Sequence, residues 1–287
     1  MNIFVVSASR PRGGIVQAIK LAVLLPLWAV FFVLVAAART IVSLAGIAGR
    51  WRIISRLTRS FASLLSRLMG LRITVDGAAA RLEGGGYLIV SNHLGYLDGV
   101  VLGSIFPVLY VSKKEVRRWP LIGQWTALCG AIFVDRQRKD RIPLLVEEIA
   151  MKLRSGANVL LFPEGTSTNG DRLLPFQTAP FAAPLRVRAP IVPVTLAYET
   201  IDGAPLSPAN RDTVYWYGDM EFASHFWRLL ALRRIEVTVK IHPTIESSAC
   251  KNDSRGRKQL SQACFGAISG QAVERESEGA GRGRVPY

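Results

Sequence analysis

Along the chain the hydrophobic pattern changes period twice. Near the N-terminus, Leu21 to Ala38 is an unbroken apolar run of 18 residues, bracketed by Lys20 and Arg39. That length reaches what a helix needs to cross a bilayer. A cleaved signal sequence is the other reading, because Arg10, Arg12 and Lys20 give a basic start and Ala36 to Ala38 resemble a cleavage site. The run is longer than a signal core and Arg39 follows at once, which favours an anchor. Thr40 to Ala48 either extends the helix or turns back along the interface. From Trp51 to Met69, the apolar residues Ile53, Leu57, Phe61, Leu64 and Leu68 recur at helical spacing, Arg52, Arg56, Arg59 and Arg67 lie largely off that stripe, and Gly70 is the stop. Such a helix lies either among lipid headgroups or on the surface of a folded domain.

After Gly70, short apolar runs alternate with helical stretches. Strands are predicted at Leu71 to Val75, Tyr87 to Val90, Val108 to Val111, Ala131 to Val134, Asn158 to Phe162 and Ile191 to Ala197. Ile235 to Ile241 adds a half-buried strand by strict alternation. Leu144, Leu145, Ile149 and Leu153 mark an amphipathic helix ending at Ser155-Gly156, and Asp76 to Gly86 is a turn-rich connection. Strands separated by helices predict an α/β sheet with helices on its faces. The chain therefore divides into a basic membrane-anchoring segment (1–70), an α/β domain (71–246) and a polar tail (247–287). The tail is expected to be mostly disordered, with Leu260 to Ile268 able to form a short helix.

Charge narrows the partners. With 36 basic and 21 acidic side chains the net charge is +15, which suits a polyanion. A hydrophobic content of 49% and a mean hydropathy of +0.25 favour an anionic membrane. No aromatic stacking pattern is interleaved with the basic residues, so nucleic acid is not expected. Basic residues crowd the C-terminal side of the apolar run (Arg39, Arg50, Arg52, Arg56, Arg59), which predicts that the domain after it is cytoplasmic. The N-terminal side is basic too, so a re-entrant, monotopic insertion stays open. Cys129, Cys250 and Cys264 form no CxxC pair and leave an odd count, which supports neither a disulfide framework nor a zinc site.

Candidate chemistry gathers at predicted strand ends, where open α/β sheets bind their ligands. Ser91-Asn92-His93-Leu94-Gly95-Tyr96-Leu97-Asp98 follows one strand. On one continuous helix His93 and Asp98 would stand roughly 140° apart. If the chain bends at Gly95 and the helix starts after it, Asp98 in the first turn can reach back to the imidazole and fix its tautomer. Pro163-Glu164-Gly165-Thr166-Ser167 follows another strand, and Gly130 to Arg136 ends in a guanidinium suited to phosphate. Pro190-Ile191-Val192-Pro193-Val194 is stiff and apolar, a wall for an acyl chain or a support beneath the site. Each alone has an ordinary reading: a solvated loop histidine, a surface Asp135–Arg136 pair, a turn at Glu164-Gly165. Their order and spacing weigh against those readings together.

That succession resembles the four motif blocks of the glycerolipid acyltransferases, the 1-acylglycerol-3-phosphate acyltransferase family. Lys113-Lys114-Glu115 and Trp119-Pro120-Leu121-Ile122-Gly123 are similar to the segment between the family's first two blocks. The resemblance covers approximately Leu71 to Ile245 and implies a mixed sheet flanked by helices. It implies His93 as general base toward a lysolipid hydroxyl, with Asp98 orienting it. Acyl-CoA or acyl-carrier protein would donate, and no metal, prosthetic group or enzyme nucleophile is called for. Arg136, Glu164, Gly165 and Thr166 are implied to bind the acceptor. The expected product is phosphatidic acid from lysophosphatidic acid. One departure qualifies the headgroup: Ser167 stands where many such members carry arginine, and the run after it is similar to members that acylate other lysolipids. Another lysophospholipid or a lyso-ornithine lipid is the alternative acceptor, with Arg172 a candidate substitute for the arginine. A non-catalytic lipid-binding protein is the rival from another class.

Overall fold

A computed structural model describes residues 13–47, 49–77, 85–119 and 122–280. Arg10, Arg12, Pro120, Leu121, most of the 76–86 connection and the last residues of the tail lie outside them. The apolar run becomes α1 (Gly13–Leu44), which absorbs most of the Thr40 to Ala48 stretch before a turn. The basic amphipathic stretch becomes α2 (Arg50–Met69), closed by Gly70 at φ 81, whose N–H donates to the Arg67 and Ser66 carbonyls.

The sheet is built from β1 (Leu71–Asp76), β2 (Leu88–Ser91), β3 (Val108–Lys113), β4 (Ile132–Val134), β5 (Asn158–Leu161), β6 (Ile191–Ile201), β7 (Ala204–Pro205) and β8 (Ile235–Ile241). Its order is β1-β8-β6-β2-β5-β3-β4, with β7 paired to β6. Neighbours run parallel except at β6–β8 and β6–β7, so the sheet is mixed. Side chains of β2 alternate across it: Leu88 and Val90 join one core, Ile89 the other. One face carries α2, α3 (Leu97–Ile105) and α7 (Phe222–Ala231), with α4 (Ile122–Leu128) beside α1. The other face carries α5 (Ile142–Arg154), α6 (Ala182–Val187) and α8 (Ser254–Ala280).

Two expectations change. Over its described residues (247–280) the polar tail is mostly helical: α8 places Leu260, Cys264 and Ile268 at 1%, 0% and 2% exposure in the second core. A narrow stripe at every fourth residue suffices to dock a helix whose other faces stay polar. The choice left open for α2 also resolves, because Ile54, Phe61, Ala62 and Met69 are buried between α1 and the domain. The face that packs on protein is rotated from the predicted stripe: of that stripe only Phe61 is buried, Ile53, Leu57 and Leu68 are half-buried, and Leu64 is exposed, as are Arg56 and Arg67.

Among the described residues α1 is the one helix long and apolar enough to cross a membrane, with Val33 and Leu44 at 64% and 84% exposure. It is nonetheless fastened to the domain at both ends. Gln17 Nε2 donates to the Trp227 carbonyl at 2.7 Å and Lys20 Nζ to the Leu232 carbonyl at 2.5 Å. At the far end Arg39 Nη1 donates to the Ala127 and Leu128 carbonyls at 2.8 and 3.0 Å. Between them Phe31 packs on Phe61, which packs on Trp125.

Candidate active site

β2 leads into the loop that carries His93, and α3 begins beyond Gly95, so Asp98 falls in its first turn. A side chain at Gly95 would run into the backbone of Trp216, which is why the bend sits at a glycine. Asp98 is fully buried and His93 partly open. The imidazole Nδ1 lies 2.8 Å from Asp98 Oδ2. The same oxygen accepts the N–H groups of Leu94 and Gly95 at 2.6 and 2.9 Å, and Oδ1 accepts the hydroxyl of Tyr198 at 2.9 Å. A carboxylate held by these donors is an acceptor only, so Nδ1 carries its proton toward Asp98 and Nε2 is left with a lone pair. Phe162 stacks on the ring at 4.1 Å and fixes its plane.

The loop itself is pinned from two sides. Asn92 pairs with β6 through both ends of its amide, donating to the Leu196 carbonyl and accepting the Leu196 N–H, each at 2.9 Å. Glu164 Oε1 accepts the His93 N–H at 2.8 Å and Oε2 accepts the Leu174 N–H at 2.9 Å. Burial nevertheless raises the Glu164 pKa, with these two N–H groups pulling the other way. Glu164 thus contacts backbone on both oxygens while still lining the cavity beside His93.

These residues open on a cavity of about 940 Å³ lined by His93, Phe162, Glu164, Gly165, Thr166, Ser167, Lys113 and Arg136. It continues as an apolar channel between α1, α2 and β3, past Leu24, Trp28, Phe61 and Tyr110. Gly165 turns the loop at φ 77, and the Thr166 hydroxyl makes only a long contact to the Ser167 carbonyl. Arg136 is at the rim. Burial lowers its pKa, and burial together with Arg136 lowers that of Lys113, so two cations face the cavity mouth. Asp135 also lines the cavity, and its carboxylate pairs with Lys114 at 2.8 Å, not with Arg136. Arg172 is exposed and does not line the cavity, so it does not replace the missing arginine there. Ile191, Val192 and Val194 are buried beside β2, which makes that block a support and not a channel wall.

The other histidines are occupied. His225 Nε2 donates to the Tyr215 carbonyl at 2.9 Å, leaving Nδ1 to accept the Tyr96 hydroxyl, and burial lowers its pKa. His242 pairs with Thr195 at 2.8 Å. Reasoning on sequence missed Tyr198, which no local pattern marks, and Lys113, whose signal was present in Lys113-Lys114-Glu115. The N–H groups of Leu94 and Gly95 next to His93 are spent on Asp98 and are not free to serve as oxyanion donors.

The family model Acyltransferase matches residues 72–197. A lyso-ornithine lipid O-acyltransferase of Brucella abortus is 36% identical over 192 residues, 64% of this chain and 71% of that protein. A 1-acyl-sn-glycerol-3-phosphate acyltransferase of Neisseria gonorrhoeae is 26% identical over 170 residues, 59% of this chain and 64% of that protein. The crystal structure of the 1-acyl-sn-glycerophosphate acyltransferase from Thermotoga maritima superposes with a TM-score of 0.54 at 14% identity, covering 91% of this chain and all of that one. It shares the fold. With the matched domain holding both strand-end blocks and the sheet that presents them, the chain belongs to the acyltransferase family and is an enzyme of that kind.

Proposed function

We propose that the chain is a lyso-ornithine lipid O-acyltransferase that uses an acyl thioester, acyl-CoA or acyl-carrier protein, as donor. The observation that carries it is a mouth with Lys113 and Arg136 but Ser167 in place of a third cation, above an apolar channel that begins at His93. Two cations match the carboxylate of an ornithine headgroup, and its ammonium disfavours a third. The name of the Brucella abortus relative points the same way. This departs from the phosphatidic acid product expected from the motifs. Lysophosphatidic acid remains the second reading because the same two cations suit a phosphate and the Neisseria gonorrhoeae relative bears that name.

In the reaction, His93 Nε2 takes the proton of the acceptor hydroxyl, and the oxygen attacks the thioester carbonyl. The carbon–sulfur bond breaks, the imidazolium returns its proton to the thiolate, and an ester and a free thiol leave. Asp98 stabilises the imidazolium, and Glu164 positions the His93 backbone. The acyl chain lies in the channel between α1 and α2.

Labelled acyl-CoA and acyl-carrier protein offered with lyso-ornithine lipid, lysophosphatidic acid and lysophosphatidylethanolamine side by side test this, with His93→Ala as blank. Ester formation on lyso-ornithine lipid at the highest kcat/KM is expected. Preference for lysophosphatidic acid would keep the mechanism and replace the acceptor. Lipid binding without any transfer would revive the non-catalytic reading.

A further inference from the structure

At the root of the α1/α2 hairpin, on the sheet edge opposite His93, three cations converge on one indole. Lys152 Nζ lies 2.9 Å from the Trp51 ring centroid, and the guanidinium carbons of Arg50 and Arg39 lie 5.3 and 5.4 Å from it. Trp51 is seated against Gly130, at φ 81, where any side chain would run into the ring. Lys152 is only 3% exposed, and burial with the two guanidiniums holds its pKa down to about 8. Glu148 is the carboxylate whose field opposes this. Arg39 spends one nitrogen on the Ala127 and Leu128 carbonyls. Like charges gathered with so little compensation attract an anion, most strongly where water is scarce.

We propose that Arg39, Arg50 and Lys152, gathered on Trp51, bind the phosphate of an anionic membrane lipid. The lipid source follows from the setting: the cluster lies beside the α1/α2 turn, where Leu44 and Ile47 are exposed, so a phosphate on the exposed Arg50 leaves its chains along those side chains. The lipid would bridge the anchor, through Arg39 and Arg50, to the catalytic domain, through Lys152. The site is independent of which acceptor the active site takes. Inorganic phosphate offers the same chemistry without chains.

The test uses the full chain in non-ionic detergent and on phosphatidylcholine vesicles with and without phosphatidylglycerol. Arg50→Gln alters an exposed side chain and Lys152→Met keeps the aliphatic stem on the indole, so neither depends on refolding the core. Arg56→Gln, an exposed α2 arginine outside the cluster, is the control. Native mass spectrometry should find a phosphatidylglycerol retained by the wild type and by Arg56→Gln and lost from both cluster variants. Vesicle affinity should fall about fivefold per cluster charge removed, with acyl transfer to micellar acceptor unchanged. No retained lipid, together with equal vesicle losses in all three variants, would show diffuse attraction and overturn the site. Thermal stabilisation by inorganic phosphate equal to that by phosphatidylglycerol would overturn the lipid as its occupant.

Discussion

Burying Asp98 at no exposure would be prohibitive for an unpaired carboxylate, and the donors around it decide its state. Tyr198→Phe removes one of them, leaving Oδ1 without its hydroxyl. A hydrogen bond to a charged group contributes roughly 1.5 to 3 kcal/mol, so kcat should fall about 10- to 150-fold with KM nearly constant. Asp98→Asn should cost far more, on the order of 10⁴, because the amide loses the charge that stabilises the imidazolium. Steady-state kinetics decide it; a change confined to KM would remove Asp98 and Tyr198 from the chemistry. Lys152 gives a pH signature instead. Its folded pKa of about 8 lies below the ordinary lysine value of 10.5, so between these values the unfolded chain binds more protons than the folded one. Stability from this group therefore rises as pH rises through that window. Melting curves in non-ionic detergent should show the wild type gaining over Lys152→Met from pH ~8 to ~10, and parallel curves would refute the shift. His93 and Asp98 were legible in sequence because five residues and one glycine bend fix their meeting. Tyr198 arrives from 100 residues away, and Glu164 acts on backbone amides, which no side-chain pattern records.

At the scale of elements, the strands were legible because buried parallel strands read as short unbroken apolar runs. The edge of the reading was α8, where composition misled: Leu260, Cys264 and Ile268 are few among polar neighbours, yet each is almost fully buried. Composition averages over the helix, whereas docking needs only one stripe. Leu260→Ala should therefore destabilise by about 2 to 5 kcal/mol, lowering Tm by roughly 2 to 4 °C per kcal/mol, while Lys258→Ala leaves it unchanged. Equal melting temperatures would return the 254–270 segment to the status of a dispensable tail. Gly130 was legible as part of a motif but not for its purpose. Its φ of 81 and the Trp51 ring above it join α2 to the turn before β4. Gly130→Ala meets both obstacles, and a loss of about 1 to 3 kcal/mol is expected, read by chemical denaturation.

For the whole molecule the question is how an apolar helix of about 48 Å meets a bilayer while lying on a soluble-looking domain. The sequence left spanning and re-entrant insertion open, because both are satisfied by the same run of apolar residues and basic flanks. The tethers at Gln17, Lys20 and Arg39 bring in a constraint that composition lacks: both ends of α1 bond to one domain. A helix crossing the bilayer would have to release one set of these part-buried hydrogen bonds, each contributing roughly 0.5 to 1.5 kcal/mol net. Lying along the interface keeps them and still offers Val33, Ile41 and Leu44 to lipid. It also sets the channel, whose wall includes Leu24 and Trp28 of α1, beside the lipid acyl chains. Cysteines placed at Gly14 and Ser43 test this in membranes of a bacterial host. With α1 lying flat, a membrane-impermeant maleimide should label both positions from the same side, reacting in inverted vesicles and not in intact spheroplasts. Labelling of the two positions from opposite sides would mean that α1 leaves the domain to span, and the channel beside it would then lose one wall.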